Sequence, residues 1–162
     1  MCISLKLEAS QTWKLLNLLW RVVFIFYKEK KNWGATRGLP RRSPSGESVD
    51  HLLLHCSLAW ELWSMVFSLY GVCWVMPGQV LQLWTGWQIR VGDTQNLVVW
   101  RMVPHCVMWC LWRERNARHF EDSERSIVDL KLLFFQTLYG WVNSLGFCSI
   151  NSITELIDYC TF

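Results

Sequence analysis

At 162 residues the chain is long enough to bury one core, and its length fits a single domain. Hydrophobic residues make up 52% of it and tryptophan alone fills 12 positions, which excludes an intrinsically disordered chain. Nine Lys/Arg against two Glu give +7 over residues 1–46, and seven against eleven acidic residues give −4 over 47–162, so the net charge of +3 hides a basic arm on a mildly acidic body. Such an arm suits nucleic acid or an anionic surface, or serves as a solvated linker. Seven cysteines without a secretory leader in residues 1–10 read as free thiols of an intracellular protein, nuclear or cytoplasmic. The apolar runs 13–27 and 97–112 are interrupted by Lys14, Asn17 and Arg21, and by Arg101, Pro104 and His105. Neither reads as a membrane span.

In chain order, Trp13, Leu16, Trp20, Val23, Phe24 and Tyr27 recur at helical spacing and predict a first helix over 12–28. Gly34, Gly38, Pro40, Pro44 and Gly46 make 34–46 a loop. Ser48 or Asp50 then caps a helix through Cys56, Trp60, Trp63, Phe67 and Tyr70, stopped by Gly71. Pro77, as the first helical residue, opens a short helix to about Trp87, and 89–95 is a polar linker. The next helix, 94–118, is apolar on nearly every side, as suits the centre of a bundle, with a kink expected at Pro104. Ser123 or Ser126 starts a long amphipathic helix with Leu130, Leu133, Phe134, Leu138, Trp141 and Leu145 inward and Gly146 as its stop. Ser152 and Glu155 form a capping box for a terminal turn or two. The expected fold is all-α, a small helical bundle.

Four blocks carry the chemistry. The first is Glu47-Ser48-Val49-Asp50-His51-Leu52-Leu53-Leu54-His55-Cys56, followed by Gly71-Val72-Cys73-Trp74-Val75-Met76-Pro77. The third is Trp100-Arg101-Met102-Val103-Pro104, and the fourth Met108-Trp109-Cys110-Leu111-Trp112-Arg113-Glu114-Arg115-Asn116-Ala117-Arg118, continued by Phe120-Glu121-Asp122-Ser123-Glu124-Arg125-Ser126. In this order they closely resemble the zinc-binding domain at the C-terminal end of reverse transcriptase in plant non-LTR (LINE-type) retrotransposons. The resemblance covers roughly 47–147 and divides the chain into a poorly matched basic arm, 1–46, and a reverse transcriptase zinc-binding-like helical domain, 47–162.

The resemblance implies that His51 and Cys56 are the second half of a zinc knuckle, a neutral imidazole and a thiolate on tetrahedral zinc. It places the two upstream cysteines at about Leu39 and Arg42, which cannot bind zinc, so the knuckle loop near the front is degenerate. The stretch 38–46 reads as a compensated frameshift or a misassigned exon. His55 is a candidate substitute ligand. The resemblance further implies a nucleic-acid-binding accessory to reverse transcription, with zinc as the ancestral cofactor and RNA or DNA as a weak partner.

Arg113, Arg115 and Arg118 are the candidate phosphate contacts. The competing reading is a helix C-terminus whose arginines favour the dipole and bridge Glu114 and Glu121. Trp60 and Trp63 could stack on bases, although their spacing with Cys56 and Phe67 points to the core. Cys106 and Cys110, beside His105, read as core thiols, and Met76, Met102 and Met108 as gap-fillers. No Tyr-x-Asp-Asp or other paired-aspartate strand, no Gly-rich phosphate loop and no supported Ser/His/Asp set is present. The chain therefore reads as non-catalytic, with no small-molecule substrate. Two other readings stand beside the nucleic-acid one: a helical protein-interaction module, and a decayed open reading frame without selected function.

Overall fold

The helix signals produce helices throughout the described residues, 48–87, 94–146 and 150–161 of the computed structural model. A π-helical turn, His51–His55, precedes α1 (Ser57–Leu69), α2 (Val80–Trp87), α3 (Thr94–Phe120), α4 (Ile127–Leu145) and α5 (Ile153–Cys160). The expected all-α class holds, with no strand among the described residues. The helix expected over 12–28, the loop 34–46 with Leu39 and Arg42, and the linker at 89–93 lie outside them. Among the described residues no helix is long and apolar enough to cross a membrane.

Several element ends are set by local chemistry. Gly71 takes φ +56, where a side chain is strained, and its N–H bonds Ser68 O at 3.2 Å while Val72 N–H reaches Phe67 O at 2.9 Å. This pair of bonds is the Schellman closure of α1. Ser126, not Ser123, caps α4, its Oγ accepting from Asp129 N at 3.2 Å. At α5, Ser152 Oγ accepts from Glu155 N at 3.1 Å and Glu155 Oε2 accepts from Asn151 N at 2.8 Å.

Pro77 does not begin α2; the chain stays irregular from Val72 and the helix starts at Val80. The reason is tertiary. Asp50 Oδ1 accepts from Val80 N at 2.9 Å and caps α2 from thirty residues upstream.

α3 is the central element, packed along α4 and touched by α1, α5 and the π turn. Val103, Cys106, Val107 and Cys110 are fully buried on it, while Arg101, His105, Trp109 and Trp112 form an outward stripe. The core reading of Cys106 and Cys110 holds, with Cys106 Sγ donating to Phe134 O at 3.5 Å. Met102 and Met108 are buried beside them. On α4 the inward stripe is Leu130, Phe134, Leu138 and Val142. Val142 thus takes the place expected for Trp141, which is only partly covered, as is Leu133. α1 buries Ala59, Leu62, Trp63 and Val66.

Trp63, Phe67, Tyr70, Trp74, Trp87 and Trp100 form one connected aromatic cluster where α1, α2 and α3 meet. Trp87 and Trp100 stack with ring centroids 4.0 Å apart at 11°. Trp63, Phe67 and Trp74 surround Trp87 at 5.7, 6.1 and 5.8 Å. Gly86 makes room for this arrangement, because a Cβ there would meet the Trp74 ring at 3.0 Å.

The stack also settles two backbone acceptors. Pro104, inside α3, has no N–H for the carbonyl four residues back, which is Trp100 O. Trp87 Nε1–H donates to that carbonyl at 2.9 Å, and Trp100 Nε1–H returns a bond to Trp87 O, at the end of α2, at 3.2 Å. Two tryptophans therefore fill their own volume and satisfy the acceptors left by a proline and a helix end.

Candidate metal and nucleic-acid site

Ser48 Oγ accepts from His51 N at 3.1 Å and starts the helical segment that carries the candidate ligands. The segment is wound as a π turn, closed by Cys56 N–H to His51 O at 2.7 Å. A bond from residue i+5 to residue i places His51 and Cys56 one turn apart, so the five-residue spacing and the winding agree. At Cys56 the backbone turns extended (φ −67, ψ 160) and α1 begins.

The cysteine itself has a structural task. Its Sγ donates to Leu52 O at 3.2 Å and accepts from Ala59 N at 3.4 Å, in the role of an N-cap. His51 is exposed and Cys56 half-buried. His55 is turned elsewhere, its Nε2–H donating to Gly78 O at 3.2 Å, which ties the π turn to the segment before α2.

Structural zinc takes four ligands. Among the described residues no three His, Cys, Asp or Glu side chains come together as a metal-holding group. His51 and Cys56 are a two-donor set, and the described side chains do not complete it.

The arginines at the end of α3 fall into different settings. Arg113 is exposed. Arg118 is held by ion pairs, Nε to Glu114 Oε1 at 2.8 Å and Nη2 to Glu124 Oε1 at 2.9 Å. The expected bridge to Glu114 is present, and Glu124 is a second carboxylate on the same guanidinium.

Glu114 is fully buried and is the node of this region. It also accepts from Arg125 N at 2.9 Å and Arg125 Nη1 at 3.0 Å, fastening the 121–126 connection onto α3. Burial pushes the Glu114 carboxyl up, and the bonds from Arg118 and Arg125 outweigh this and hold it below the usual carboxylate range.

The π turn, the start of α1 and the end of α3 line an open cleft of about 310 Å³. Leu52, Leu58 and Leu111 line it together with Arg115, Arg118, His119, Cys56 and Ser57. Two residues singled out for different chemistries, Cys56 and Arg115, thus share one concavity. His51 and Arg113 do not line it.

Trp63 is buried, its Nε1–H on Leu53 O at 2.9 Å, as its spacing suggested. The core reading of Trp60 is overturned: it is 60% exposed. The inward face of α1 is set by Ala59, Leu62, Trp63 and Val66, which turns Trp60 to solvent.

Sequence reasoning missed Glu114 as a buried charge and the cleft altogether. The one available signal was Glu114 between Arg113 and Arg115 on an otherwise apolar helix. No family model, no curated protein and no solved structure matches this chain.

Proposed function

We propose that this chain is a non-catalytic helical domain that binds RNA or DNA weakly, resembling the accessory zinc-binding domain of a LINE-type reverse transcriptase with half of the zinc site missing. The observation that supports it best is the meeting of Cys56, Arg115, Arg118 and His119 around one cleft, since these residues belong to the first and fourth motif blocks or adjoin them. Exposed Trp60 on the same helix as Ser57 offers a flat face on which a base can stack. Zinc belongs to the ancestral half-site; in this chain the thiol of Cys56 caps a helix.

The division of the arginines sharpens the reading. Arg118 is a positioning residue, fixed between Glu114 and Glu124. Arg113 and Arg115 are the phosphate contacts. Four arginines from Arg113 to Arg125 face the four acids Glu114, Glu121, Asp122 and Glu124 in the same stretch, so the local field is close to neutral and affinity is low.

Fluorescence anisotropy with a labelled single-stranded oligonucleotide tests this. Binding is expected at about 50 mM salt and is lost by about 200 mM, with a slope of roughly −0.7 per phosphate contacted. Charge reversal by Arg113→Glu and Arg115→Glu should lower affinity at 50 mM by about tenfold or more. Absence of binding at 50 mM overturns the proposal. A helical interaction module would instead show self-association or dye binding unaffected by those two substitutions.

A further inference from the structure

The outward side of α3 carries rings and charge that the cleft does not account for. Arg101, His105, Trp109, Trp112 and Arg113 fall within roughly a third of the helix circumference at about 3.6 residues per turn. Arg101 and Arg113 are exposed, and the other three are partly exposed. Trp109 and Trp112 stack with ring centroids 5.1 Å apart at 28°. His105 meets Trp84 of α2 at 4.2 Å, which brings a further partly exposed indole to the same side. Trp84, Trp109 and Trp112 all stand outside the buried core.

This side is also free of acidic residues along its two helices. Neither α2 nor the reach of α3 from Thr94 to Arg113 contains an Asp or Glu. Burial lowers the pKa of His105 to about 4, so at neutral pH the cations here are Arg101 and Arg113. No ion pair among the described residues holds either guanidinium, in contrast to Arg118 between Glu114 and Glu124. From Glu114 to Arg125, four acids offset three arginines. Positive charge without an acidic counterweight therefore lies along α3 rather than at its end.

Twelve residues of helix separate Arg101 from Arg113 by about 18 Å, the rise of about five stacked nucleotides at roughly 3.4 Å each. Unpaired bases present flat apolar faces beside a regular row of negative charge. Indoles set between two exposed guanidinium groups are the complement of that pattern.

We propose that single-stranded nucleic acid lies along this side of α3, with bases against Trp109 and Trp84 and phosphates on Arg101 and Arg113. The inference rests on the nucleic-acid reading and names its surface. Arg113, which does not line the cleft, is one end of the strand path, and Arg101 is the other. Trp112 stacks on Trp109 and holds its plane. Stacking on an indole tolerates any sequence, because every base has a π face. A duplex hides those faces, which leaves only its phosphates to bind here.

Fluorescence anisotropy at about 50 mM salt, with a labelled single strand of about ten nucleotides and with its duplex, tests this path. Trp109→Ala should weaken single-strand binding at least about fivefold, the loss of one stacked base, and Trp109→Phe should keep most of it. Arg101→Glu should weaken it about tenfold and lower the salt slope by about 0.7. Arg101 is exposed, so this variant carries the test if Trp109→Ala fails to fold. Lys131→Glu changes the net charge equally on α4 and should leave affinity within about twofold.

Single-strand binding that neither Trp109→Ala nor Arg101→Glu weakens overturns the inference and leaves the nucleic-acid reading in place. Equal affinity for single strand and duplex also overturns it. Absence of binding to every oligonucleotide overturns both.

Discussion

The aromatic core and the cleft-bearing front share helices α1 and α3 but differ in how most of their polar groups are satisfied. In the core, polar atoms bond between elements: Trp87 with Trp100 across α2 and α3, and Tyr70 Oη with Cys160 Sγ at 3.0 Å across α1 and α5. At the front more of them bond locally, Cys56 within its own turn and Arg118 with Glu114 four residues back, with His55 on Gly78 O as the longer tie. Bonds between elements specify which faces pack. Bonds within a turn leave the surface open to a partner. The fold is held by the first region, and the proposed chemistry lies in the second.

Glu114 joins the two, and its replacement should have the largest effect. Glu114→Gln removes the charge from the carboxylate that holds Arg118 and Arg125 and should cost about 1.5–3 kcal/mol in urea unfolding, the range for hydrogen bonds to a charged group, since both arginines stay partly solvated. A cost below about 1 kcal/mol, as for a surface pair, would place Glu114 with the solvent-exposed front instead.

Trp87→Phe keeps most of the stack but removes the indole donor to Trp100 O. A cost of about 1–3 kcal/mol is expected for the orphaned carbonyl. Pro104→Ala restores a backbone N–H to the same acceptor, so Trp87→Phe should cost less in that background. Strict additivity in this double-mutant cycle would break the account of the core.

A pH-dependent effect lies at the edge of the core, where His105 packs under Trp84 at 4.2 Å. Burial lowers its pKa from 6.5 to about 4, against the raising effect of its bond to Arg101 O. The unfolded chain takes up this proton near pH 6.5 and the folded chain only near 4, so in between the unfolded state binds more protons. The stabilisation is present in full above that window and declines as pH falls through it, by at most about 1.4 kcal/mol per pH unit. His105→Phe should flatten this dependence in thermal unfolding followed from pH 7 to 4.

The legible parts of the fold are the local ones. Gly71, Gly146, Ser126 and Ser152 mark their helix ends because the bonds they make span only a few residues. The start of α2 was not legible, since its cap is the Asp50 carboxylate thirty residues away and Pro77 gave a stronger local signal. Trp60 was misplaced because α1 carries apolar residues on more than one side, and its neighbours decide which side is buried. On α4 a rotation of one residue separates Trp141 from Val142.

At the candidate site, His51 and Cys56 were found through the motif blocks rather than through any property of an isolated pair. The cleft was not legible because its walls, 52–58 and 111–119, come together only when the π turn packs on α3.

Zinc content measured by elemental mass spectrometry, on the native chain and on a Leu39→Cys/Arg42→Cys variant, tests the central claim most directly. Two donors of a required four should leave the native chain with well under one zinc, and restoring the other two should bring the variant to about one per chain. A variant that stays empty would contradict the reading of His51 and Cys56 as half of a lost zinc site, and so would a native chain that already carries a full equivalent.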